Sequence, residues 1–156
     1  MQNITIWSDT FKNGENIPVE YTCDGENISP GLFWKGIPAG TKSITLIMDD
    51  PDAPMGTFVH WVLFNLTSDV DKLSKGIRPK ESFFKHDTHH GMTDFGRIGY
   101  GGPCPPSGVH RYYFRIYALD KLLGLETGAT RKQVDDAMSG HILAMGELFG
   151  LYRREK

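Results

Sequence analysis

The sequence predicts a mainly β fold, a β-sandwich with short helices at its C-terminal end. Up to Leu119, apolar residues recur at every second position in several short stretches, which is the spacing of β-strands. Turn-forming dipeptides such as Asn13-Gly14 and Asp24-Gly25 separate these stretches. Helical spacing of apolar residues begins only after Thr130. With 156 residues, the chain is predicted to form a single domain, residues 1–156.

The first strands are predicted over residues 4–7 and 43–49. Residues 4–7 alternate weakly between apolar and polar side chains. In the second strand Ile44, Leu46 and Met48 share one face. That strand is expected to end in residues 50–54, Asp-Pro-Asp-Ala-Pro, because proline lacks the N–H group that a sheet needs.

A third strand, residues 57–66, is predicted to be central and covered on both sides, because apolar residues occupy both of its faces. One face is predicted to carry Phe58, His60, Val62, Phe64 and Leu66, and the other Val59, Trp61 and Leu63. Residues 67–102 are polar and weakly periodic. So long a loop is expected either to be functional or to contain short elements.

The next strand is predicted over residues 110–119, with one face directed into the core: His110, Tyr112, Phe114, Ile116 and Ala118. Thr130 and Gln133 form a capping-box pattern that begins a helix. Its apolar positions are Val134, Ala137 and Met138. After a break at Gly140, helical spacing is expected to continue through Ile142, Met145 and Phe149.

Charge and composition exclude several classes of function. A net charge of −2 argues against nucleic-acid binding, which needs clustered excess lysine and arginine. The longest apolar run, residues 58–66, is far shorter than the roughly 20 residues of a membrane span, so no membrane insertion is expected. Without a secretory signal pattern, a cytoplasmic protein is expected. Free thiols are therefore favoured at Cys23 and Cys104, and a disulfide between them is left open.

Polar residues at the ends of the predicted strands form a candidate site. Asp50 ends one strand, His60 lies early in the next, and His110 and Tyr112 begin another. If these strands are neighbours, the four side chains converge at one end of the sandwich. Imidazole and phenol groups donate hydrogen bonds to an anion. Glycines at 101 and 102 let backbone amides approach it closely, and Asp50 can accept a ligand proton or orient a histidine.

Other readings of the same residues stay open. Each residue taken singly is compatible with a structural role, such as a hydrogen-bonded core histidine at position 60. A metal-assisted hydrolase using Asp50, Asp52, His60 and His110 is the alternative function, because aspartate and histidine bind zinc and manganese. Histidines 86, 89 and 90 can extend such a metal site, although a solvated loop is favoured. Binding is preferred to catalysis, since no nucleophile or strong general base accompanies the cluster.

Residues 50–54, the pair His60-Trp61 and residues 102–112 (Gly-Pro-Cys-Pro-Pro-Ser-Gly-Val-His-Arg-Tyr) resemble the two signature regions of the phosphatidylethanolamine-binding protein family, which includes the Raf kinase inhibitor proteins. The similarity covers nearly the whole chain and is closest to the compact bacterial and archaeal branch. It implies a Greek-key antiparallel β-sandwich with a small anion pocket. By motif, the pocket is expected to be lined by Asp50, Asp52, His60, Gly102, Pro103, His110 and Tyr112.

The resemblance implies a binding module without a cofactor. Its expected ligand is a small anion, such as a phospholipid head group or a phosphorylated metabolite or peptide. A protein partner such as a kinase or protease and a homodimer are both left open, and the kinase-inhibiting partnerships of the eukaryotic family members are not carried over. Two departures concern the rim of the pocket: Asp94 stands near where relatives often have asparagine, and residues 86–91 lie outside the recognised pattern.

Overall fold

The structure, a computed structural model, describes residues 2–82 and 84–155. Within these residues the chain forms β1 (Gln2–Asn3), β2 (Thr5–Trp7), a 3-10 turn (Val19–Tyr21), β3 (Leu32–Lys35), β4 (Ser43–Asp50), β5 (Phe58–Leu66), β6 (Lys72–Leu73), β7 (His89–His90), β8 (His110–Leu119), α1 (Arg131–Met138) and β9 (Ile142–Tyr152). The mainly β fold class is thus confirmed. The short strands β6 and β7 lie in the region that the sequence left without assigned elements.

The strands form two sheets. The larger has the order β1-β9-β8-β4-β5-β7, and the smaller has the order β2-β3-β6. All pairings are antiparallel except that of β1 with β9, which is parallel and was not expected. The order of the larger sheet places β4 between β5 and β8, so the three strands that carry the candidate site are neighbours.

The main core lies between the two sheets. Ile44, Leu46 and Met48 of β4 face it as predicted, together with Phe114 and Ile116 of β8. A second apolar cluster covers the opposite face of the larger sheet, where Val134 and Met138 of α1 pack with residues of β4 and β5. The prediction that β5 is covered on both sides is therefore confirmed. These apolar side chains supply most of the free energy of burial that stabilises the fold.

The C-terminal segment departs from the sequence prediction. Thr130 and Gln133 form the predicted capping box, and α1 ends at Met138. The predicted helical continuation through residues 142–149 is wrong, because this segment is the long strand β9. Small residues fill much of its buried face, so the alternation is hard to recognise. A side chain at Gly146 would overlap the backbone oxygen of Ile4. None of the helices in residues 2–82 and 84–155 is long and apolar enough to span a bilayer.

A bulge in β5 changes the direction of His60. The pairing with β4 shifts between Met48↔Trp61 and Asp49↔Val59, which leaves His60 without an opposite residue. The prediction that His60 shares a face with Val62 and Phe64 is therefore wrong. Its ring instead contacts Tyr112 on the inner side of the sheet, at a centroid distance of 5.3 Å.

A disulfide joins Cys23 to Cys104, so the prediction of free thiols is wrong. The two Cα atoms are 5.4 Å apart, within the usual range for a disulfide. This distance could not be inferred from the sequence, because the two cysteines lie 81 positions apart along the chain. The bond fastens the turn after the 3-10 helix to the glycine- and proline-rich loop that precedes β8.

Candidate functional site

A cavity of about 210 Å³ opens where β4 ends and β5 and β8 begin. Four of the seven residues predicted for the site line it: Asp50, His60, His110 and Tyr112. The antiparallel pairing of the three strands brings them to the same end of the sandwich. All four are buried, with relative exposures between 0% and 7%. The rest of the lining consists of Ala53, Pro54, Phe58, Phe95, Cys104, Pro105 and Pro106.

Asp50 and His110 form a buried pair. The Nδ1 atom of His110 lies 2.7 Å from Oδ2 of Asp50. A carboxylate oxygen only accepts hydrogen bonds, so Nδ1 carries the proton and Nε2 is left for another partner. The second oxygen of Asp50 accepts the backbone N–H of Asp52 at 2.8 Å, which is the turn geometry that an Asp-Pro-Asp sequence favours. Asp50 thus fixes the orientation of His110.

His60 is held by a backbone carbonyl. Its Nδ1 atom donates to the oxygen of Gly101 at 2.7 Å, and the amide of Gly101 donates back to the His60 carbonyl at 3.0 Å. Burial lowers the pKa of His60 below its usual value, and the hydrogen bond to Gly101 and the negative charge of Asp50 oppose this effect only in part. Burial therefore favours the neutral ring, whose remaining nitrogen, Nε2, has no hydrogen-bond partner among the described residues.

The ring of Tyr112 contacts both histidines. Its ring stacks on His110 at 6.3 Å and meets the edge of His60 at 5.3 Å. The hydroxyl oxygen is buried and makes no well-aligned hydrogen bond within residues 2–82 and 84–155, although the Asp50 carboxylate and the backbone of Cys104 lie near enough to interact with it. Burial, followed by the charge of Asp50, holds the pKa of Tyr112 far above its usual range. The neutral hydroxyl is therefore available as a donor.

Aromatic and proline side chains form the remainder of the cavity, and reasoning from the sequence missed them. The ring of Phe95 packs edge-on against Phe58 at 4.9 Å and against His60 at 5.1 Å. Pro105 and Pro106 belong to the loop that the sequence had singled out, which was a usable signal. Phe95 lay in the stretch without periodicity, so no pattern marked it. An apolar lining of this kind strengthens polar contacts in the cavity, because it excludes water.

The other three predicted residues, Asp52, Gly102 and Pro103, do not line the cavity. The carboxylate of Asp52 accepts two hydrogen bonds from the Arg111 guanidinium, both at 2.8 Å, which lowers the pKa of Asp52 to about 2. The amide of Gly102 donates to Oδ1 of Asn27 at 2.8 Å, and the carbonyl of Pro103 accepts from the amide of Cys23 at 3.1 Å. These contacts hold in place the turn after β4 and the loop before β8. Residues 53–54 of the turn and 104–106 of the loop form the wall of the cavity.

The histidines at 86, 89 and 90 lie around a separate cleft of about 550 Å³. His90 is buried and stacks on Trp61 at 6.2 Å, and its burial lowers its pKa to about 4. His89 contacts the hydroxyl of Thr127 at 2.8 Å, whereas His86 is exposed. Within residues 2–82 and 84–155, no three histidine, cysteine, aspartate or glutamate side chains are grouped so that they could hold a metal ion.

Comparison with known proteins adds two kinds of similarity. The family model for phosphatidylethanolamine-binding protein matches residues 7–153. A UPF0098 protein of Aquifex aeolicus is 51% identical over 155 residues, covering 96% of this chain and 88% of its own. A UPF0098 protein of Methanothermobacter thermautotrophicus is 51% identical over 151 residues, covering 97% of this chain and 99% of its own.

Solved structures share the fold. The phosphatidylethanolamine-binding protein homolog CT736 of Chlamydia trachomatis superposes with a TM-score of 0.90 at 39% identity, over 99% of this chain and 100% of its own. Escherichia coli YbcL, described as a member of the mammalian family of the same name, also reaches 0.90, at 29% identity, over 98% of this chain and 99% of its own.

Proposed function

We propose that this chain, which belongs to the phosphatidylethanolamine-binding protein family, binds a small ligand with an anionic group in the cavity between Asp50, His60, His110 and Tyr112. The family and the fold are consistent with a small ligand-binding module. The proposal that the ligand is anionic rests on one observation above all. The buried Tyr112 hydroxyl makes no well-aligned hydrogen bond in the described part of the chain, and such a donor is costly to bury unless a ligand or water accepts from it.

The cavity offers a defined set of polar contacts. Tyr112 contributes an O–H donor, and the free nitrogens of His60 and His110 accept from a protonated ligand or donate when the rings are charged. Asp50 adds a negative charge beside them. A ligand that combines an anionic group with a proton or an amine satisfies all four side chains. A monoprotonated phosphate or phosphoethanolamine has this combination, and a cavity of about 210 Å³ suits a head group of that size.

The direct test replaces His110. We expect His110→Ala to weaken binding of O-phosphoethanolamine by about tenfold or more, because a hydrogen bond to a charged group contributes roughly 1.5–3 kcal/mol. Titration calorimetry measures the dissociation constants. His141→Ala is the matched control, since His141 has the same pairing with an aspartate, Asp120 at 2.8 Å, but lies outside the cavity.

Equal affinities of the two variants would contradict the proposal, as would the absence of binding to the unmodified protein. Inorganic phosphate, titrated in parallel, separates the two ligand sources. Tighter binding of phosphoethanolamine favours a lipid head group, because its ammonium group can reach Asp50. Equal binding favours a phosphorylated metabolite recognised through its phosphate alone.

A second test uses pH with sulfate as the probe, since sulfate keeps its double negative charge from pH 5 to pH 8. The pKa of His60 is lowered by burial, so its ring gains a proton only below about 6.5. Protonation turns Nε2 into a charged donor, and we expect sulfate affinity to rise as pH falls from 7 toward 5. His60→Gln is expected to reduce this rise. An affinity for sulfate that stays constant over the same range would show that the imidazoles are not the donors.

A further inference from the structure

Cys104 belongs both to the cavity and to the disulfide. It lines the cavity beside the two prolines that follow it, and it is bonded to Cys23 in the turn after the 3-10 helix. The Cys104 residue is exposed, whereas Cys23 is half-buried. Of the two bonded cysteine residues, Cys104 is thus the more accessible to a soluble thiol, and access is one condition for thiol–disulfide exchange.

The disulfide is the last covalent cross-link between the cavity wall and a distant part of the chain before β8. Upstream of it, Tyr100, Gly102 and Pro103 make hydrogen bonds of 2.7, 2.8 and 3.1 Å to the turn that carries Cys23. From residue 104 to residue 109, by contrast, no backbone–backbone hydrogen bond is formed with the described parts of the chain. Pro105 and Pro106 also lack N–H groups that could donate one.

We propose that the Cys23–Cys104 disulfide is an exchange site for dithiol reductants, and that its oxidation state controls ligand affinity in the cavity. One thiolate of the reductant attacks the sulfur of Cys104, and Cys23 leaves as a thiolate that takes up a proton. The second thiolate of the reductant then attacks the reductant sulfur that is bonded to Cys104. Cys104 leaves as a thiolate and is protonated in turn. The reductant becomes a disulfide as the protein gains two electrons and two protons.

Reduction preserves the fold but loosens the cavity wall at residues 104–109. Both sheets are held by their own hydrogen bonds and cores, which do not include the disulfide. Residues 104–109 lose their covalent anchor, so the prolines beside His110 and Tyr112 are no longer fixed. A ligand must then order this segment when it binds, and that cost weakens binding. By linkage, a bound ligand must stabilise the disulfide to the same extent.

The experiment compares the oxidised protein with protein reduced by dithiothreitol, with reduction verified by mass after thiol alkylation. We expect faster hydrogen–deuterium exchange in residues 104–109 after reduction and unchanged exchange in β4 and β8. Because this part of the proposal depends on the proposed function, inorganic phosphate is titrated into both forms. Affinity is expected to fall on the order of tenfold on reduction. Saturating phosphate should then lower the disulfide reduction potential by about 30 mV.

The double variant Cys23→Ser/Cys104→Ser is expected to reproduce the reduced state and to be insensitive to dithiothreitol. Unchanged exchange of residues 104–109 after complete reduction would overturn the proposal. So would equal phosphate affinity in the two oxidation states. Failure of phosphate to bind either form contradicts the proposed function instead, and the exchange measurement then still decides whether the disulfide controls the wall.

Discussion

Replacing Asp49 by asparagine is expected to lower the free energy of unfolding by about 3 kcal/mol. Asp49 is 1% exposed, and its carboxylate binds two arginines: Arg115 at 2.9 and 3.0 Å, and Arg131 at 2.9 Å. Arg131 begins α1 and Arg115 lies in β8, so one buried charge joins the helix to the sheet. Asparagine has the same shape but no charge, which leaves the two guanidinium groups without their buried counterion.

The measurement is denaturant unfolding followed by circular dichroism. Asp136→Asn is the control, because Asp136 pairs with Lys132 at 3.0 Å on the exposed side of the same helix. Such a surface pair contributes less than about 1 kcal/mol. If both variants unfold at the same denaturant concentration, the buried charge network does not stabilise the protein as we expect.

The Asp49→Asn substitution is expected to lower stability without changing ligand affinity. Asp49 and Asp50 are adjacent in β4, but Asp49 contacts the arginines beside α1, whereas Asp50 lines the cavity. Phosphate affinity is therefore expected to be unchanged in Asp49→Asn under conditions where the variant is folded. This alternation of roles along one strand follows from its period of two residues.

The long strands could be predicted because their burial leaves a simple pattern. In β4 and β8, large apolar residues occupy alternate positions, and the predicted bounds of β8 agree with the structure. The pattern failed in β9, where buried positions are held by Ala144, Gly146 and Gly150. At Gly150 an added side chain would crowd Ile17 and Phe11, so close packing, not hydrophobicity, determines the residue.

The direction of His60 could not be predicted, because a bulge is a property of a strand pair. No glycine or proline marks residues 58–64, and alternation alone placed His60 with Val62. The extra residue appears only when β5 is aligned with β4. Its consequence is functional, since it turns the imidazole toward Tyr112.

The candidate site was predictable to the extent that its side chains sit at strand ends. Asp50, His60, His110 and Tyr112 were placed together from the order of strands and turns. The apolar lining was missed because phenylalanine in a loop carries no pattern of its own. Asp52 and Gly102 were expected in the pocket by resemblance, yet their contacts are with Arg111 and Asn27. Which side of a loop faces the ligand depends on these long-range contacts.

Gly102→Ala is expected to cost about 2–3 kcal/mol of stability and to weaken phosphate binding at the same time. A β-carbon at this position would overlap the backbone oxygen of Tyr21 and lie 2.6 Å from Oδ1 of Asn27. A backbone atom cannot swing aside as the end of a side chain can. The wall of the cavity and the turn behind it must therefore move apart, which breaks the hydrogen bond from Gly102 to Asn27.

Gly124→Ala is the matched control, because no heavy atom lies within 4 Å of the added β-carbon there. Both variants are unfolded in denaturant and titrated with phosphate from the same preparation. A Gly102→Ala protein as stable as the control would show that the cavity wall accommodates the added β-carbon without a loss in the free energy of unfolding. A Gly102→Ala protein that loses stability but keeps its affinity would separate the turn from the cavity. The combined loss that we expect would instead show that Gly102 acts as a spacer, whose missing side chain lets the turn support the ligand-binding wall.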